Sequence, residues 1–102
     1  MMTNKTYHGN KTIDFIASKI DETILKDGLT VKKVQGVKRK LKGEQVMVMV
    51  YHDEKNQAIT LTIMLTSLNN NLTVDLIMPI IEGDILMRIE IMLKENGFTS
   101  SV

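Results

Sequence analysis

The chain has 102 residues, 43% of them apolar, no cysteine and a formal net charge of +1. That length supports one domain with its own core, and the lack of cysteine excludes disulfides, cysteine-ligated zinc, iron–sulfur clusters and thiol nucleophiles. No apolar run approaches the roughly 20 residues a membrane helix requires, and the polar start Met1-Met2-Thr3-Asn4-Lys5 does not read as a secretory leader, so a cytoplasmic protein without membrane contact is expected.

Residues 1–11 contain Gly9 and show no periodicity, which predicts a flexible N-terminal arm ahead of a single domain over 12–98, with 99–102 as a tail. From Thr12 to Asp27 the period is helical. Ile13, Ile16, Ala17, Ile20 and Ile24 line one face, Thr12 is placed to cap, and Gly28 follows the end. Phe15 and Leu25 fall off that stripe and either widen the buried face or mark a second contact.

After Gly28 the period falls to two. Breaks at Lys42-Gly43-Glu44, at Asp53 to Gln57 and at Asn69-Asn70-Asn71 divide the rest into four strand-like runs, roughly 29–41, 45–51, 58–66 and 72–78. The gaps are too short for crossover helices, so neighbouring runs are expected to pair as antiparallel hairpins. In the third run Ile59, Leu61, Ile63 and Leu65 alternate with Thr60, Thr62, Met64 and Thr66, as in a sheet with one wet face. The second run, Val46 to Tyr51, is apolar on both sides, as in a central strand or one whose outer side meets a partner. Its Met47 and Met49 are the flexible, polarizable side chains suited to an adaptable contact.

Pro79 closes the last run, and a second helix is predicted from about Asp84 to Asn96. Asp84 caps it and Gly97 stops it. Ile85, Leu86, Ile89, Met92 and Leu93 form its inward stripe. Met87 and Ile91 stand on the opposite side among Arg88, Glu90, Lys94 and Glu95, where a monomer ordinarily shows polar residues. The expected fold is therefore α+β, in the order α-β-β-β-β-α. It is a two-layer sandwich of a four-stranded antiparallel meander with both helices on one face.

Charge is segregated along this chain. Up to Tyr51 there are ten Lys or Arg against five Asp or Glu, and from His52 onward three against seven. Lys32, Lys33, Lys38, Arg39, Lys40 and Lys42 occur with no intervening acid. On a regular strand Lys32, Lys38, Lys40 and Lys42 share one face and could track phosphates, while Gly36 is read as a bulge that re-aims part of the strand. The ordinary reading is edge protection, since lysines on an outer strand prevent pairing with another chain. Base-specific RNA reading is disfavoured, because the strands offer only Tyr51 for stacking.

No glycine cluster can cradle a nucleotide phosphate, and His8 and His52 are the only histidines, so neither a cofactor nor a metal is expected. A His52–Asp53 base lacks a nucleophile motif beside it. The sequence therefore predicts a small non-catalytic interaction module that self-associates as a homodimer, with Met87, Ile91, Met47 and Met49 as its contacts. The alternative is a nucleic-acid-binding accessory protein that holds phosphates through the six basic residues of the first strand.

Overall fold

A computed structural model of the chain describes residues 3–25, 31–53, 60–78 and 83–101. The chain is α+β, with two helices and one antiparallel sheet of six strands. The elements in order are β1 (Thr3–Gly9), α1 (Ile13–Leu25), β2 (Val31–Leu41), β3 (Glu44–Asp53), β4 (Thr60–Leu68), β5 (Asn71–Met78), α2 (Gly83–Glu95) and β6 (Thr99–Ser100).

The residues expected to form a loose arm and a tail are the two strands that sequence reading missed. β1 pairs with β5 along its whole length, Tyr7 opposite Val74, and β6 pairs with β1 through Tyr7 and His8. The sheet order is β2-β3-β4-β5-β1-β6, six strands where four were expected. Without β1, the N–H and C=O groups on one side of β5 would have no ladder partner.

The path follows from element lengths. β1 and β2 lie four strand positions apart, about 19 Å at the usual spacing. Helix α1 joins them, and its 13 residues span about 20 Å. The meander then walks back to β1 through tight turns. Lys42 and Gly43 have φ of 46° and 84°, and Asn69 and Asn70 have φ of 51° and 64°. Two consecutive positive φ values give the hairpin turn whose twist matches the strands, which is why glycine and asparagine sit there.

Helix starts and stops obey local chemistry. The Thr12 hydroxyl accepts a hydrogen bond from the Phe15 N–H at 3.2 Å, capping α1. At the end of α2, Gly97 takes φ of 85° while Phe98 N–H reaches the Leu93 carbonyl and Gly97 N–H reaches that of Lys94. This Schellman arrangement satisfies otherwise orphaned carbonyls and turns Phe98 into the core. The expected Gly28 stop, the turn at 54–57 and Pro79 lie outside the described residues, as does the Asp84 side chain.

One buried cluster takes in residues of both helices and of the sheet. Ile16, Ile20 and Ile24 of α1 and Leu86, Ile89 and Leu93 of α2 join Tyr7, Met49, Tyr51, Ile63, Leu65 and Val74. The predicted stripes of both helices are the buried ones. Phe15, off the stripe, is 41% exposed, with the Lys11 and Lys19 ammonium groups 5.4 and 5.7 Å from its ring centre. Gly9 lies on the buried side, and a Cβ there would stand 2.7 Å from the Phe98 ring. Gly9→Val should therefore destabilise the fold by about 1–3 kcal/mol through overpacking. Urea melts test this, and a variant as stable as the parent would contradict the packing of Phe98 on β1.

Candidate interaction surface

The basic strand does not form a single ribbon. Lys33 stands opposite Tyr51, but Gln35 stands opposite Val50, so Val34 is an extra residue and the alternation of β2 changes there. The bulge lies two residues before Gly36. Past it, Gly36 and Lys38 fall opposite Met49 and Met47 on the helix side, whereas Val37 and Arg39 fall opposite Val48 and Val46 on the outward side. Val37 thus leaves the core position assigned to it by uninterrupted alternation. Lys42 occupies the turn, Lys40 is exposed, and the Lys32 and Leu41 side chains lie outside the described residues.

Two of the lysines are tied to acids of α1. Lys33 Nζ donates to Asp21 Oδ2 at 3.1 Å, and Lys38 Nζ donates to Asp14 Oδ1 at 3.1 Å. Asp14 and Asp21 are seven residues apart, two helical turns, so both face the same strand. The Tyr51 hydroxyl donates to the other oxygen of Asp21. Burial first, and then this hydrogen bond and the Asp21 charge, push the Tyr51 phenol far above its ordinary range. Gly36 makes room for the crossing Lys33 side chain, whose Cε lies 3.2 Å from where a Cβ would be.

A second polar group ties α2 to β1. Lys5 Nζ donates to Glu90 Oε1 at 3.1 Å, and the buried Tyr7 phenol also hydrogen-bonds Glu90. Burial, then that bond and the Glu90 charge, raise the Tyr7 phenol. For Glu90, partial burial pulls the carboxyl upward. Hydrogen bonds from Tyr7 and Lys5, with the charges of Lys5 and Lys94, outweigh it and leave the group below the ordinary carboxylate range.

His8, expected in a mobile arm, is held in β1. Its Nε2 contacts the Ser101 hydroxyl and its Nδ1 lies 3.3 Å from the Thr73 hydroxyl. A serine beside a histidine invites a nucleophile–base reading, but this histidine is exposed, and a threonine stands where an orienting carboxylate would be required. Asp75, on the same side, accepts from Thr6 at 2.5 Å instead. Among the described residues no three His, Asp or Glu side chains converge as a metal site.

The expected contact residues divide sharply. Met49 is fully buried and Met47 packs against the same core, because alternation turns both toward the helices. Met49 is therefore absent from the surface, a correction to the sequence reading, whereas Met47 is only partly buried. The apolar side chains β3 sends the other way are Val46, Val48 and Val50, all partly exposed. They belong to a contiguous patch that sequence reading identified only on β3. Val37, Val48, Met64 and Asp75 form one cross-strand row, with Arg39, Val46, Thr66 and Thr73 on one side of it and Val50, Thr62 and Ile77 on the other. Leu68, at the end of β4, is 42% exposed. Met87 and Ile91 on α2 are 58% and 50% exposed, as their helical position predicts.

The chain matches no protein-family model and no curated protein. Among the described residues no helix is long and apolar enough to cross a membrane.

The Glu90 group sets a pH dependence whose sign is fixed. A carboxyl held below its unfolded value of about 4.3 contributes stability above that pH, and the contribution is lost as pH falls through the folded value. Glu90→Gln should therefore cost about 1 kcal/mol at pH 7, the scale of a hydrogen bond, and progressively less as pH falls through the folded value of the carboxyl. Denaturant melts at pH 7 and in a descending acid series check it; a cost that does not shrink in acid would contradict the contact.

Proposed function

We propose that this chain is a small non-catalytic protein-interaction module that self-associates through the outward face of its sheet. In this reading the molecule has two layers, both helices lie on one face, and the opposite face is left for a partner. The observation that carries it is the strip of Val37, Val46, Val48, Val50 and Met64, five apolar side chains adjacent across three strands. Apolar residues scattered singly on a surface are ordinary, but a contiguous patch of them is the usual mark of an interaction site. Met87 and Ile91, interleaved with charged residues on α2, form a smaller second surface.

The phosphate-binding alternative draws less support. Lys33 and Lys38 are engaged by Asp21 and Asp14, and Arg39 points away from them. A row of lysines tracking a backbone needs its members on one side. Lysines along an outermost strand are better accounted for as protection against edge-to-edge pairing.

Two paired substitutions separate the surfaces. Val48→Lys with Met64→Lys should yield a folded monomer by circular dichroism and light scattering, while Met87→Asp with Ile91→Asp should leave self-association intact. The reverse result would move the working surface to α2, and a parent chain that stays monomeric at high concentration would overturn the self-association reading.

A further inference from the structure

The outward face carries a charge of each sign at its flanks, and their positions favour one way of docking two copies. Arg39, on β2, is exposed and makes no ion pair among the described residues. Asp75, on β5, uses Oδ1 to accept from Thr6, which leaves Oδ2 for another donor. The apolar strip lies between them.

Two sheets that pack face to face keep their strands roughly aligned, and a closed dimer requires a two-fold axis. That axis can run across the strands or along them. An axis across the strands lays each strand over its own copy with the rows reversed. About the middle row, Asp75 then meets Asp75 of the second copy, and like charges brought together while losing water are strongly unfavourable. An axis along the strands, between β3 and β4, keeps the rows and reverses the strand order. Val48 then faces Met64, Val46 faces Thr66, and β2 lies over β5. Arg39 comes to within one row of Asp75 of the second copy, about 6.8 Å along the strand, a span that an extended arginine side chain covers.

We propose that two copies dock with the two-fold axis along the strands between β3 and β4, registered by two reciprocal Arg39–Asp75 pairs around a Val48–Met64 centre. The inference rests on the self-association reading above and adds its partner geometry. The valine strip supplies burial, and the charge pairs select the orientation, which is the usual division of labour at an interface. Each pair occurs twice, so any change to it is doubled.

That doubling provides the test. Arg39→Asp alone places two acids against two acids, and Asp75→Arg alone places two bases against two bases, so each variant should associate at least tenfold more weakly than the parent. An equimolar mixture of the two should recover association near parental strength as a one-to-one heterodimer, resolved by native mass spectrometry, because every cross-copy contact is then of opposite sign. Single variants that dimerise like the parent, or a mixture that fails to recover, would overturn this geometry. The self-association reading would still stand if Val48→Lys with Met64→Lys gave a monomer. Should a charge reversal impair folding, Arg39→Gln and Asp75→Asn serve instead: each alone and the two combined should weaken association equally, whereas additive losses would contradict a direct pair.

Discussion

Alternation across the strands is the constraint on which the rest of this structure depends. Each strand can give only one side to the helices, so a choice of inward residues is also a choice of what remains outside. With Tyr51, Met49 and Ile63 inward, Val50, Val48 and Met64 must stand on the other side, whatever their polarity. The apolar outward patch is thus a sequence choice made against the ordinary preference for polar residues on a wet sheet face. Thr62, Thr66, Thr73 and Thr6 follow that preference, and the departure is concentrated at Val37, Val46, Val48, Val50 and Met64.

The bulge at Val34 is where alternation is deliberately interrupted, and it divides the charge. Ahead of it Lys33 reaches Asp21, and beyond it Lys38 reaches Asp14, although the two lysines differ in parity. Without the extra residue one of the two would point away from α1. The charge that is segregated along the chain is therefore partly paired within the fold, between β2 and the helix preceding it. Among the described side chains of β2, the charge left outward is Arg39, which the bulge puts on the opposite side from Lys33 and which stands at the rim of the valine strip.

Much of the architecture was legible in the sequence, because periodicity, turn residues and caps agreed with one another. Both helices, the two tight turns and the strands β2 to β5 follow from residues such as Thr12, Gly43, Asn70 and Gly97. β1 was not legible. Its inward side offers Lys5, Tyr7 and Gly9, of which only Tyr7 reads as core; Lys5 is inward because Glu90 receives it, and Gly9 because Phe98 fills its space. Those reasons sit more than 80 residues away in the chain. β6, with two residues, has no periodicity to read. On the site, Met87 and Ile91 were visible from helical spacing, whereas the inward direction of Met47 and Met49 required knowing which side of β3 the helices cover. A strand apolar on both sides does not carry that information.

The absence of cysteine makes the central claim directly measurable, since a single Met64→Cys change introduces the only thiol. The account predicts rapid reaction with a water-soluble maleimide at high dilution, where the outward face is bare, and progressive protection as concentration rises and a second copy covers it. A thiol that is unreactive at every dilution would mean that the chain itself covers this face, and one equally reactive at every concentration would mean that no second copy does. Either result would contradict the account.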